Sequence, residues 1–184
     1  MRTVLHADLN SCYASVECAV HPEYKNVPLA VGGDEALRHG IILAKNEQAK
    51  QFGICTGEPI RQALQKCPHL VVVPPHYALY SEYCERARQI YLQYTDMVES
   101  FGPDECWLDV TGSINLFGDG EKIANEIRLR IRRELNVTVS VGVSWNKTFA
   151  KFGSDYKSPM PLPLSPPETT GSLSGRVPWM SFFL

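Results

Sequence analysis

The sequence predicts a mixed α/β or α+β protein in which short strands alternate with helices. β-prone segments recur between residues 3 and 143 and are separated by turn-forming residues. Two longer segments, 76–95 and 121–135, carry apolar residues at the three-and-four spacing of a buried helix face. The 184 residues are 44% apolar and carry a net charge of −2, which is typical of a soluble globular protein.

The first half of the chain is predicted to open with a strand, an acidic residue and a helix. The β-prone strand 3–7 ends at Asp8, and a helix over 11–20 follows behind a cap at Asn10 or Ser11. The other elements predicted in this half are strands over 28–31 and 40–44 and helices over 45–52 and 60–66.

The second half is predicted to contain the two longest helices. Helix 76–95 has a tyrosine-rich stripe, which is more typical of a core face than of a binding platform. Strands over 98–101 and 106–110 flank the turn Gly102-Pro103-Asp104-Glu105, and helix 121–135 precedes a strand over 137–143.

Acidic residues lie at the ends of strands that we expect to be neighbours. Asp8 follows one strand and Asp104-Glu105 occupies the turn between two others, so their carboxylates would converge at one sheet edge. Oxygen-only ligands of this kind suit Mg²⁺, and a pair of such ions supports phosphoryl transfer. From spacing alone, solvated turn acids are the more common alternative. The predicted helix N-terminus at Asn10–Tyr13 offers free N–H groups to a phosphate.

Three blocks of sequence resemble the signature blocks of the Y-family translesion DNA polymerases, of the UmuC and DNA polymerase IV type. The blocks are DLNSCYASVE at 8–17, DECWLDVT at 104–111, and GVSWNK at 142–147 with FAK at 149–151 and SD at 154–155. Their order and separation also match, and the resemblance covers residues 1 to about 157.

The resemblance implies a domain organisation. Residues 1–10 and 78–157 would form an α+β palm, a UmuC-type catalytic domain with flanking helices, and residues 11–77 a small inserted α/β fingers domain. The family also uses a thumb and a little-finger domain to hold the duplex. The implied activity is that of a DNA-directed DNA polymerase, a nucleotidyltransferase, in translesion synthesis and DNA repair.

The resemblance also implies site residues. Asp8, Asp104 and Glu105 would be the catalytic carboxylates, and with the Leu9 carbonyl they would hold two Mg²⁺ ions. Tyr13 would be the steric gate that excludes a ribose 2′-OH, with a core tyrosine as the alternative. The implied nucleotide-binding residues are Asn10, Ser11, Cys12, Tyr13, Lys50, Asp155 and Lys157. The implied partners are primer-template DNA, deoxynucleoside triphosphates and, for an intact relative, a sliding clamp.

The sequence departs from the family pattern at several of these positions. Cys12 stands where the family commonly has an aromatic residue, and Glu47 and Lys50 stand where many members have Tyr and Arg. Lys50 keeps the positive charge but not the bidentate fork of arginine. Ser158 falls where a lysine is expected, although Lys157 is adjacent.

Three alternative interpretations stay open at this point. The GGDE run at 32–35 is similar to a motif of cyclic-dinucleotide cyclases, but here it joins two short strands far from Asp104. Four arginines between 128 and 133 could contact the phosphates of a DNA backbone, although a solvated helix face is the more common interpretation. A non-catalytic remnant or accessory protein that only binds nucleotide or DNA is the alternative to the polymerase.

Composition and tail sequence give further expectations. No segment has the length of a membrane span or a secretory signal, and the six cysteines have no zinc-ligand spacing, so we expect a cytoplasmic protein with reduced cysteines. The net charge of −2 lacks the basic footprint of a free-standing nucleic-acid-binding domain. Residues 158–184 depart from the family in composition, which predicts a disordered or frameshifted tail.

Overall fold

The computed structural model describes residues 2–33 and 40–156, and these form two compact units. The described part of the first unit comprises residues 2–8, 91–129 and 139–156. The second unit comprises residues 9–33, 40–90 and 130–138. The mixed helix and sheet content confirms the predicted fold class.

The chain alternates strands and helices, with short 3₁₀ turns at Pro22–Asn26 and Thr111–Ser113. The strands are β1 Val4–Leu9, β2 Leu29–Gly32, β3 Ile42–Lys45, β4 Val71–Val73, β5 Val98–Phe101, β6 Glu105–Asp109 and β7 Val139–Ser144. The helices are α1 Cys12–Val20, α2 Glu47–Gln51, α3 Ile60–Lys66, α4 Tyr77–Tyr91, α5 Ile114–Phe117, α6 Gly120–Leu135 and α7 Lys147–Tyr156.

The first unit contains a four-stranded sheet in the order β5-β6-β1-β7. β1 pairs antiparallel with β6, from Val4 opposite Asp109 to Asp8 opposite Glu105. β5 also pairs antiparallel with β6, as predicted, through a turn in which Gly102 adopts φ 72°. This register brings the end of β1 next to the start of β6, where the predicted acidic residues lie.

Helix α7 lies against strand β7 at a very close approach. A Cβ atom added at Gly142 on β7 would lie 2.0 Å from the Ala150 carbonyl oxygen and 2.5 Å from the Ser154 nitrogen. Because both are backbone atoms of α7, only glycine permits this distance. Gly142 therefore sets how close α7, with the polar residues that it carries, comes to the sheet.

The second unit contains a three-stranded sheet in the order β3-β2-β4. β2 is antiparallel to β3 and parallel to β4. The Asn46 side chain accepts hydrogen bonds from the Leu29 and Ala49 N–H groups and donates to the Val27 carbonyl at 2.8 Å. One amide side chain thus ties the loop before β2, the strand itself and the cap of α2.

Several predicted boundaries differ from the structure for local reasons. Helix α2 begins at Glu47 rather than Lys45, because Asn46 caps it and Lys45 ends β3. Helix α4 ends at Tyr91, four residues before the predicted end at Thr95. The predicted side-chain cap of α1 is wrong, since Ser11 adopts φ 48° and its hydroxyl makes no cap bond in the described structure.

Three elements, β4, α5 and α7, were not predicted. β4 and α5 are three and four residues long, too short for a periodicity to show. Helix α7 carries Gly153 in its interior, which lowers helix propensity. Packing against β7 stabilises α7 in spite of that glycine. Among the described residues no helix is long and apolar enough to cross a membrane. Asp34 and Glu35 of the cyclase-like run and the 158–184 tail lie outside the described residues.

Candidate active site

Three carboxylates of the first unit gather at the junction of β1 and β6. Asp8 is on the penultimate residue of β1, directly opposite Glu105, the first residue of β6. Asp104 precedes Glu105 in the turn after β5. The structure therefore brings together the three acidic residues that the sequence analysis singled out.

The electrostatics of this cluster are unfavourable for full ionisation. Burial, with the nearby charges of Asp104 and Glu105, raises the pKa of Asp8 to about 7. Burial also raises the pKa of Asp104, and the Glu105 charge adds to that effect. Partly buried carboxylates with raised pKa values, close to further acids, are typical of a functional site.

Lys151 on α7 provides a cation next to these acids. Its ammonium donates to Glu105 Oε2 and lies 4.0 Å from Asp155 Oδ1. Although burial opposes the charge, the hydrogen bond with Glu105 raises the pKa of Lys151. Lys151 was not among the site residues expected from the sequence, although its four-residue spacing from Asp155 in the third block was a usable signal.

His6 is completely buried beside the same cluster. The Ser154 hydroxyl donates to the Lys151 carbonyl, so His6 Nδ1, 2.7 Å away, is the donor to Ser154 Oγ. The other ring nitrogen lies 3.0 Å from Glu105 Oε2 but lacks the alignment of a hydrogen bond. Burial and the Lys151 charge lower the pKa of His6, so its ring is held neutral.

The donor set suits a hard divalent cation. Carboxylate oxygens are the ligands that Mg²⁺ prefers, and the raised pKa of Asp8 shows that added positive charge would be stabilised here. In residues 2–33 and 40–156, however, no three His, Cys, Asp or Glu side chains are already arranged around one point. The Glu105 carboxylate is instead directed at Lys151.

The residues expected at the start of α1 belong to the second unit. Asn10 donates its backbone N–H to the Thr138 carbonyl at 2.9 Å and its side chain amide to Thr138 Oγ1 at 3.0 Å. Cys12 is buried, with its sulfur 3.8 Å from that of Cys84 on α4. Leu9, the expected carbonyl ligand, has a buried side chain at the end of β1.

Tyr13 has a defined aromatic environment. Its ring is stacked on that of Tyr80, with centroids 4.4 Å apart and an interplanar angle of 14°. Tyr77 contacts it edge-on, with a centroid distance of 6.0 Å. Tyr13 is half-buried, so it is neither a fully enclosed core residue nor a free surface side chain.

The other expected nucleotide-binding residues have different surroundings. Lys50 lies on α2, and its ammonium is 2.5 Å from the carboxylate of Glu47. Asp155 lies on α7 in the first unit, about half exposed, near Lys151. Lys157 lies outside the described residues.

Comparison with known proteins gives the class to which this chain belongs. The family model described as "impB/mucB/samB family" matches residues 7–155, which include all three acidic residues. The chain is therefore a member of the impB/mucB/samB family.

Individual relatives within this family share one description. The chain is 62% identical over 158 residues to the DNA polymerase IV of Acetivibrio thermocellus, covering 86% of this chain and 40% of the relative. It is 39% identical over 178 residues to the DNA polymerase IV of Ralstonia nicotianae, covering 97% and 50%. The chain spans about half the length of the curated relatives that it matches.

Solved structures support the same relationship. The crystal structure of DinB from Sulfolobus solfataricus is similar with a TM-score of 0.79 and 31% identity, over 85% of this chain and 46% of that one. An insertion ternary complex of Dbh DNA polymerase is similar with a TM-score of 0.79 and 30% identity. The resemblance to Y-family polymerases inferred from the sequence is thus confirmed.

Proposed function

We propose that this chain carries the catalytic and nucleotide-binding parts of a Y-family, DNA-directed DNA polymerase that acts in translesion synthesis and DNA repair. The observation that carries the proposal is the register that puts Asp8 opposite Glu105, with Asp104 adjacent. The reaction joins the primer 3′ oxygen to the α-phosphate of a deoxynucleoside triphosphate and releases pyrophosphate. The proposed substrates are primer-template DNA and deoxynucleoside triphosphates.

Asp8, Asp104, Glu105 and the Leu9 carbonyl are the proposed ligands of two Mg²⁺ ions. Such ions would neutralise the charge of the triphosphate and favour the deprotonated primer hydroxyl. Lys151 holds the Glu105 carboxylate, and its ammonium limits repulsion among the acids before a cation binds. His6, neutral and bonded to Ser154, holds the neighbouring end of α7.

Residues of the second unit are proposed to select the nucleotide. Asn10, Ser11 and Cys12 would face the triphosphate, and the Tyr13 ring would exclude a ribose 2′-OH. Lys50, Asp155 and Lys157 complete the proposed nucleotide-binding set. The pairing of Lys50 with Glu47 reduces its availability to phosphate, which makes Lys50 the weakest member.

The domain assignment is part of the proposal. Residues 1–10 and 78–157 would be the palm and residues 11–77 the fingers. The division into two compact units, one with the four-stranded sheet and one with the three-stranded sheet, supports a two-domain organisation. The bounds differ, because residues 78–90 and 130–138 of the proposed palm belong to the second unit. A sliding clamp is a further proposed partner of the polymerase that contains this chain.

A chimeric polymerase tests the function. Residues 1–156 replace the matching part of the 62%-identical Acetivibrio thermocellus relative, so that the rest of that protein holds the DNA. We expect Mg²⁺-dependent, template-directed primer extension that Asp104→Asn abolishes and the exposed control Asp96→Asn leaves intact. Nucleotide binding without extension in an otherwise folded chimera would instead support a non-catalytic, nucleotide-binding protein.

A further inference from the structure

Glu17 is a buried acid on α1 that the proposed chemistry does not use. Its side chain is 1% exposed, although ionised carboxylates are rarely buried unless other groups bond them. The Tyr80 hydroxyl donates to Glu17 Oε1 at 2.5 Å, and His76 Nδ1 lies 2.8 Å from the same oxygen. Burial and the bond to Glu17 raise the pKa of Tyr80 well above its usual range, so the hydroxyl stays protonated as the donor.

Tyr80 connects this acid to Tyr13. The Tyr80 ring is almost fully buried, and its face stacks on Tyr13 at a centroid distance of 4.4 Å. Tyr77 contacts the Tyr13 ring edge-on and the Tyr80 ring edge-on, which limits tilting of either ring. The plane of Tyr13 therefore depends on the plane of Tyr80.

The helical spacing explains why the contacts occur together. Tyr13 and Glu17 are four residues apart on α1, so they share one face of that helix. His76 and Tyr80 have the same spacing at the start of α4, where the Tyr80 N–H donates to the His76 carbonyl. Two residues from each segment thus form one connected set within the second unit.

We propose that Glu17 is a positioning residue that fixes the Tyr13 ring through Tyr80 and so sets the discrimination between deoxyribose and ribose triphosphates. This inference rests on the proposed function, in which Tyr13 contacts the sugar. Glu17 itself touches no substrate. Its hydrogen bond fixes the Tyr80 hydroxyl, and the stacked ring passes that constraint to Tyr13.

The test compares binding of dATP and ATP, each with Mg²⁺, to the full 184-residue chain. The key variant is the double substitution Glu17→Leu with Tyr80→Phe, which removes the hydrogen bond without leaving a buried hydroxyl unpaired. Glu17→Gln keeps an acceptor for Tyr80 and serves as the conservative rescue. Tyr83→Phe makes the same hydroxyl deletion elsewhere on α4 and is the matched control.

We expect the dATP preference to fall at least about threefold in the double variant, a part of the roughly 100-fold by which a pocket can reject an added hydroxyl. Glu17→Gln and Tyr83→Phe should keep the wild-type ratio. A purely structural role predicts the opposite pattern, in which the unfolding midpoint and both affinities drop in parallel and the ratio stays constant. That pattern would overturn the inference.

Failure of the proposed function gives a different result. Wild-type protein that is folded but binds neither nucleotide overturns the proposed function and this inference with it. Wild-type protein that prefers dATP, with an unchanged preference in the double variant, overturns the inference alone. NMR of the Tyr13 ring, assigned from the Tyr13→Phe spectrum, should show a smaller ring-current shift in the double variant and an unchanged one in Tyr83→Phe.

Discussion

Asp8 and Glu17 lie nine residues apart in the chain, and Asp8 is partly buried while Glu17 is fully buried, but their surroundings also differ. Glu17 in the second unit has a hydroxyl and an imidazole directed at one of its oxygens. Asp8 in the first unit has two further carboxylates nearby, while Lys151 bonds Glu105. Glu17 is therefore buried among hydrogen-bonding partners, whereas Asp8 lies among further carboxylates.

The difference separates structural acids from acids that are poised for chemistry. The Glu17 carboxylate is hydrogen-bonded within the protein, so it can fix the Tyr80 ring and, through stacking, the Tyr13 ring. Burial, together with the excess negative charge of its cluster, raises the pKa of Asp8 to about 7. A cluster of carboxylates with raised pKa values is a candidate site for a bound cation.

The largest expected effect comes from separating Lys151 from the acidic cluster. Gly142→Ala places a methyl group where the α7 backbone lies, so we expect a loss of at least about 3 kcal/mol in unfolding free energy. Urea unfolding measures it. Gly112→Ala is the control, because nothing lies within 4 Å of a Cβ at that position. Equal stability of the two variants would contradict the close approach of α7 to β7.

The second-largest effect is expected in the acidic cluster around Asp8. Asp104→Asn should weaken Mg²⁺-dependent stabilisation, measured as the rise in thermal unfolding midpoint with Mg²⁺ concentration. Loss of even an indirect partner of a metal ligand costs about 10–100-fold in affinity, so loss of a ligand should cost at least as much. Glu17→Gln should leave the metal titration unchanged. A titration that is identical in wild type and Asp104→Asn contradicts the proposed metal site.

The third effect is on pH dependence without metal. The pKa of Asp8 is about 7 in the folded protein against 3.8 ordinarily, so between these values the folded state holds a proton that the unfolded state releases. In chelator, wild-type stability should therefore fall relative to Asp8→Asn as pH rises through this window. We expect about 1 kcal/mol, allowing for partial solvent contact. Denaturant unfolding of both proteins at several pH values measures the difference, and a constant difference contradicts the prediction.

The smallest effect is expected at Glu47, an acid that is exposed and paired with Lys50, unlike Asp8 and Glu17. Glu47→Gln removes the exposed partner of Lys50 and should raise affinity for a nucleoside triphosphate by no more than about threefold, since such pairs contribute little. Isothermal titration with dATP checks it, with Glu23→Gln as an exposed control. Weaker binding in Glu47→Gln would show that Lys50 does not face phosphate.

The sequence alone predicted the elements whose patterns are local. Helix α6 is the clearest case, because Ile123, Ile127 and Ile131 repeat every four residues and are all fully buried. β1, β5 and β6 also match their predicted positions closely, because β-prone runs there end at polar or turn residues. The strand β4 and helix α7 were missed because tertiary packing, not propensity, stabilises them.

In the candidate site, too, residues with a local sequence signal were predicted and residues with long-range contacts were not. Asp8, Asp104 and Glu105 could be found because each follows or precedes a strand within a recognisable block. The contacts of Lys151 and His6 with Glu105 could not be predicted, since they join α7 and β1 to β6 across long stretches of chain. The only local signal for Lys151 was its four-residue spacing from Asp155. The contact between Glu17 and Tyr80 is equally non-local, because the two residues are 63 positions apart in the chain.

The central place of β1 in its sheet has a consequence for synthesis of the protein. Val4 pairs with Asp109, so the apolar first strand emerges from the ribosome long before its partner. At about 5–20 residues per second that interval is roughly 5–20 s, during which an unpaired hydrophobic strand is exposed to aggregation. The β3-β2-β4 sheet, by contrast, needs nothing beyond Val73 to complete its strands. The nascent chain can thus form the three-stranded sheet before β6 and β7 of the four-stranded sheet have been synthesised.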